Sequence, residues 1–176
     1  MAQTFLNLAQ GVTGTLPSAN NSAKILQVIS DTKTDTQTIS GSSYVEISGL
    51  SVAITPSSAS SKILIITSIT FGTNQDAYPS FQLRRGGSNI FIASGTQTGE
   101  ETTFSSHADA RSQYRMANAG HHFLDSPNST SQQTYSVYCS PMRTETQALK
   151  INTAYSISDD NQGLGTSVIT CFEISS

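Results

Sequence analysis

A chain of 176 residues is long enough for one domain with a real core and short for two. Only 12% of it is charged, the net charge is -3, and the nine Lys and Arg residues are scattered, so no basic face for nucleic acid is present. No apolar run approaches a membrane-spanning length, and the first residues lack the basic and apolar regions of an ordinary signal peptide.

Charged residues are about half as frequent as in an average globular protein, while serine and threonine together number about 50. Such a composition is compatible with disorder, but Ile, Val, Leu and Phe recur with a period of two, which disordered chains lack. The expectation is an all-β protein with polar, weakly charged outer faces. Residues 1–22 are expected to form an extended N-terminal arm and residues 23–176 a single antiparallel β-sandwich domain, jelly-roll-like in topology.

Met1–Ser22 carries no charged side chain and holds its large apolar residues at Phe5, Leu6, Leu8, Val12 and Leu16, with Pro17 following. An uncharged segment with five such residues is a liability in water, so it reads as an arm bound to something. Lys24–Ile39 reads as one long strand. Leu26 and Val28 open one face and threonines continue it, while Asp31, Lys33, Asp35 and Gln37 line the other. Interspersed charges of this kind protect an edge strand.

Ser43–Phe71 is the best-patterned stretch. Val45 and Ile47 share one parity, and after Gly49 the parity passes to Leu50, Val52 and Ile54. Side chains alternate between faces along a strand, so the switch marks a corner, a bulge or a change of sheet. Ile63-Leu64-Ile65-Ile66 is then apolar on both faces. An antiparallel strand ordinarily wets one face, so the second apolar set, Leu64 and Ile66, is expected at a subunit interface. This is a reason from the residues alone to expect an oligomer.

Gly72–Pro79 reads as a loop carrying Tyr78, and Ser80–Ala93 as a hairpin turned by Gly86-Gly87, with Arg84-Arg85 near its tip and Ile90 to Ile92 on the return arm. Ser94–Ser112 is polar and without periodicity, and long irregular loops of this kind are usually functional or disordered. Gln113–Ala119 and Gly120–Asp125 read as a short strand pair. Thr134–Cys139 turns Tyr135, Val137 and Cys139 inward and Tyr138 outward. Leu149–Ile157 alternates most cleanly, with Leu149, Ile151, Thr153, Tyr155 and Ile157 on one face. Val168, Thr170, Phe172 and Ile174 close the domain. Eight or nine strands with turns between them and no helix is the pattern of a sandwich or jelly roll. Cys139 and Cys171 read as free buried thiols, the alternative being one disulfide.

Little in the chain suggests chemistry. His107, Asp109, His121, His122 and Asp125 match no standard zinc spacing. There is no nucleophile elbow and no phosphate-binding glycine loop. Glu100, Glu101, Asp109 and Asp159-Asp160 are the only carboxylates for glycoside cleavage, and all lie in loops without an aromatic platform. No enzyme activity, metal or cofactor is expected.

Several segments carry a resemblance. VTGTLPSAN at Val12–Asn20 resembles a segment that recurs near the start of tail-fibre and other appendage proteins of tailed bacteriophages. GLSVAITPSSASSKILI, LRRGGSNIF, FLDSP and SVITCFEIS follow in order and resemble small virion proteins of marine and cyanobacterial phages. The resemblance spans nearly the whole chain, in short pieces. It implies a sandwich or jelly-roll knob that trimerises on the virion surface, with a structural or host-contacting role and no chemistry.

Two expectations follow. In the first, the protein is a non-enzymatic virion component, a capsid decoration or head fibre that forms a homotrimer and grips a capsid or tail protein through its arm. In the second, it is a tail fibre or receptor-binding module that reads a host-surface glycan or protein. Its candidates are Tyr78, Arg111, Tyr114, Arg115, His121 and His122, because aromatic rings stack on sugars and Arg or His bonds hydroxyls and carboxylates.

Overall fold

A computed structural model describes residues 24–74, 79–91, 113–141, 148–157 and 163–176, together with the two-residue strand at 105–106. Those residues are all-β and build two antiparallel sheets. The strands are β1 (Ile25–Lys33), β2 (Gln37–Ser40), β3 (Val45–Ile54), β4 (Lys62–Thr73), β5 (Ser80–Arg85), β6 (Ser88–Asn89), β7 (Ser105–Ser106), β8 (Ala117–Asp125), β9 (Gln133–Ser140), β10 (Ala148–Ile151) and β11 (Ser167–Ile174).

The first sheet is ordered β1-β11-β4-β10-β2, and β8 pairs with β4. β11 and β10 lie end to end along one edge of β4, against residues 62–68 and 71–73. β1 and β2 flank them in the same way. The second sheet is ordered β3-β9-β5-β6, with β7 also against β5. Side chains of both sheets join in one buried cluster, in which Phe71 of β4 meets Phe81 of β5 at 5.2 Å between ring centroids.

Ser43–Phe71 follows its sequence pattern. β3 is bulged, its register against β9 shifting between Glu46 and Ser51, and Gly49 within the shift has φ +72. Glycine adopts that conformation without the strain a Cβ brings. The bulge lets Ile47 and Leu50 both point into the core, along with Val52 and Ile54. Cys139 and Cys171 are free and buried. Burial pushes both thiols up, Cys171 to about 12.

Other segments depart from expectation. The long strand over 24–39 is two strands, broken at 34–36. Asn152 lies beside the break and donates from Nδ2 to the carbonyls of both Lys33 and Asp35, at 2.9 Å each. The first part turns Ile29, partly buried, toward the core and leaves Leu26 and Val28 exposed. Lys33 is 2% exposed, its amine paired with Asp35 at 2.9 Å.

The alternation expected over 149–157 stops at Ile151. Asn152 has φ +62, a left-handed conformation that a strand cannot hold. Thr153 and Ala154 are then buried as irregular chain, and Ile157 is exposed. Gly72, expected in a loop, is inside β4, where residues 153–155 cross so closely that a Cβ would stand 2.5 Å from the Thr153 carbonyl oxygen.

The strand pair expected over 113–125 is one strand, β8, because Gly120 pairs with Ser68 in an unbroken ladder. The hairpin after β5 is shorter than expected. β6 is only Ser88–Asn89, and Ile90 adds one backbone bond to Leu83 at 3.0 Å. The closing strand buries Ile169, Cys171 and Glu173 and turns Val168, Thr170, Phe172 and Ile174 outward, half-exposed. The outer ends of β1 and β11 meet, where Ser175 N donates to the Lys24 carbonyl at 2.9 Å.

Candidate functional site

Two adjacent strands of the first sheet, β4 and β11, are apolar on both faces. One parity of each fills the core, so the other must lie on the outer face of the sheet. The ladders fix which side chains meet there. Val28 pairs with Phe172, Phe172 with Leu64, and Leu64 with Leu124. These four form one row across β1, β11, β4 and β8. Directly paired side chains sit about 5 Å apart and the row spans roughly 15 Å.

Val28 and Leu124 are 52% and 46% exposed. The next outward row is Ser30, Thr170, Ile66 and His122, with Ile66 at 41% exposed. The third is Thr32, Val168, Ser68 and Gly120. Single exposed apolar residues are ordinary on a protein surface, but a register row with a second beside it is a contiguous patch.

A shallow hollow of about 330 Å³ opens in this face, lined by Leu64, Ile66, Thr67, Gly120, His121 and His122. Gly120 has no side chain to fill it. A Cβ there would find ordinary contacts at 3.4 Å to the Thr67 carbonyl oxygen and 3.5 Å to Asn118. The backbone at Gly120 thus leaves room for a Cβ, and glycine contributes to the hollow by lacking one.

The expected interface residues Leu64 and Ile66 thus meet two of the expected binding residues, His121 and His122, around one feature. The histidines are adjacent on β8, so they point to opposite faces. His122 stands in the Ile66 row. His121 lies toward the inner side, where Phe91 meets it edge-on at 5.7 Å and stacks on Phe123 at 4.7 Å. Tyr114 and Arg115 are exposed before the start of β8, and Arg115 is six residues from His121, roughly 20 Å along an extended chain. They do not join the histidines.

Tyr78, Arg111, His107, Asp109, Glu100, Glu101, Asp159 and Asp160 lie outside the described residues, as do the arm residues Phe5, Leu6, Leu8, Val12, Leu16 and Pro17. Asp125, weighed with the histidines as a ligand, is committed elsewhere. It accepts from Arg85 Nη1 at 2.6 Å and from the Tyr135 hydroxyl at 2.7 Å, which ties β8 to the second sheet.

Sequence reasoning found the β4 half of the apolar face and missed the β11 half. The signal was present in SVITCFEI, which carries apolar residues at both parities, but reading it requires knowing that β11 lies beside β4. Protein-family models and curated proteins both give no match to this chain.

Proposed function

We propose that the protein is a non-enzymatic structural component of a tailed-phage virion, a trimeric surface knob. In this reading the two sheets form a jelly-roll-like β-sandwich, and residues 1–22 anchor it to a capsid or tail protein on the outside of the particle. The observation that carries the self-association is the apolar row Val28–Phe172–Leu64–Leu124 on an outward sheet face. Covering half-exposed side chains of this size contributes on the order of 1 kcal/mol each. Across several copies that favours association, against the loss of freedom on assembly. The resemblance to phage virion proteins supplies the location.

Size-exclusion chromatography with light scattering tests the oligomer. The intact chain should run as a trimer, and Leu64→Lys with Leu124→Lys should run as a folded monomer. A wild-type monomer at micromolar concentration would overturn the trimer. Removing residues 1–22 should abolish incorporation into particles while leaving the trimer folded. Unchanged incorporation would remove the anchoring role.

A second reading, a receptor-binding module for a host-surface glycan, is favoured by the exposed Tyr114 and Arg115. Loss of host-cell binding on changing both residues to alanine would support that placement, and undiminished binding would exclude it.

A further inference from the structure

The outer face of the second sheet differs in chemistry from that of the first. β3, β9 and β5 place Glu46, Tyr138 and Gln82 in one cross-strand row, with Arg84 two residues along β5 from Gln82. The Arg84 guanidinium carbon lies over the Tyr138 ring, 4.0 Å from its centroid, and 6.0 Å from that of Tyr44. Arg84 Nε and Nη2 both donate to Gln82 Oε1, at 3.0 and 2.7 Å. The Tyr138 hydroxyl donates to Glu46 Oε2 at 3.2 Å, and the Tyr44 and Ser80 hydroxyls share a bond at 2.7 Å.

A neutral amide and an aromatic face therefore hold this guanidinium flat and fixed, and neither neutralises it. Among the described residues the ion pairs are Lys33–Asp35 and Arg85–Asp125, and Arg84 belongs to neither. The fork keeps N–H donors beyond the two used on Gln82. A planar cation already oriented loses little entropy on binding a carboxylate through two parallel bonds.

We propose that Arg84, Tyr138, Tyr44 and Glu46 form a binding site for a saccharide bearing a carboxylate, a uronate-type sugar, with the buried Gln82 holding Arg84 from beneath. The sugar carboxylate takes the outward N–H groups of Arg84. The tyrosine rings hold the guanidinium in place, and the exposed Glu46 accepts from sugar hydroxyls. Glu46 also makes the site of mixed sign, which disfavours polyphosphates and suits one carboxylate among hydroxyls. The site gives the glycan-contact reading a location and rests on that reading, but does not depend on the trimer.

The test is amide chemical-shift titration of the full chain with oligogalacturonate, set against the same oligomer methyl-esterified. The acid form should shift amides around residues 44–46, 82–84 and 138, and the ester should bind about tenfold more weakly. Arg84→Gln should lose the preference for the acid form, and Arg84→Lys should keep part of it. Shifts confined to other regions, equal binding of acid and ester, or full binding by a folded Arg84→Gln would each overturn the site. If binding instead disappears on changing Tyr114 and Arg115, glycan contact stands and this location is wrong. If the wild-type chain shows no shift with any saccharide, both fail.

Discussion

Asn152 spans the break between β1 and β2, with one side-chain amide nitrogen donating to the carbonyl of Lys33 and to that of Asp35. Its Oδ1 accepts from Ser167 Oγ at 2.7 Å, its N–H donates to Thr70, and its own carbonyl accepts from Gly165. One buried residue in a left-handed conformation thus ties together the first, fourth, tenth and eleventh strands. Asparagine suits the position because its short amide supplies donors and acceptor and its backbone tolerates positive φ. Asn152→Ala should lower stability by about 3 kcal/mol, from unpaired buried carbonyls and backbone strain together. Asn152→Gly removes the strain and should lose about 1 kcal/mol less. Urea unfolding of the two variants separates the contributions, and equal losses would mean that φ is immaterial.

Asp125 is the acceptor for two groups from the other sheet. Burial and the neighbouring Asp125 carboxylate push the Tyr135 phenol well above its usual range, so the hydroxyl stays a donor at any ordinary pH. Asp125→Ala leaves a buried hydroxyl and a half-buried guanidinium without an acceptor and should cost about 3 kcal/mol. Tyr135→Phe removes the donor itself and should cost about 1 kcal/mol. Thermal unfolding should rank the two in that order.

Glu173 is 1% exposed and among the described residues has no cationic partner. Burial pushes its carboxyl upward, but the hydrogen bonds from Ser57 and Gln27 outweigh that and hold it at about 2 instead of the ordinary 4.5. Ser57 supplies both its N–H at 2.7 Å and its hydroxyl at 2.6 Å, so the carboxylate pins the turn before β4 to the end of β11. A depressed folded-state value means stability present above the unfolded value near 4.5 and lost as pH falls through about 2. The full contribution is on the order of 3 kcal/mol. Urea midpoints measured from pH 7 down to pH 2 should fall in that window, and Glu173→Gln should flatten the fall.

Two glycines face opposite tests. Gly72→Ala puts a methyl group against the backbone of residues 153–155, which cannot yield as a flexible side chain would. It should lower stability by about 2 kcal/mol or more. At Gly120 a Cβ meets only ordinary contacts, and Gly120→Val suits a strand and projects toward the outward hollow. It should leave the melting temperature of the monomer unchanged and weaken association. A Gly120→Val protein that assembles like wild type would show that the hollow is not part of the contact.

What was legible before the structure was what a single strand carries by itself. The inward parity of Tyr135, Val137 and Cys139, the switch at Gly49 and the surplus at Leu64 and Ile66 are local alternations, and each reappears in the fold. What was not legible depends on neighbours in space. Leu149–Ile157 has the right alternation for a nine-residue strand, but Asn152 is claimed by two carbonyls more than 100 residues away in sequence. Val168, Thr170, Phe172 and Ile174 were legible as one alternating set, but periodicity gives two faces and does not say which is inside. The Arg84–Tyr138 pairing is set wholly by the register between β5 and β9.

The meeting of Lys24 and Ser175 has a mechanical consequence. β1 and β11 are antiparallel, and Ile25 stands opposite Ile174 at the very end of their ladder. Tension applied between Lys24 and Ser175 would open that ladder one rung at a time from its tip, the geometry of a zipper. Held by one end only, the same domain carries no load through its strands, because no path of force crosses the core. The β1–β11 ladder, ahead of the buried pairings behind it, is thus the first element to meet a pull applied at those two residues.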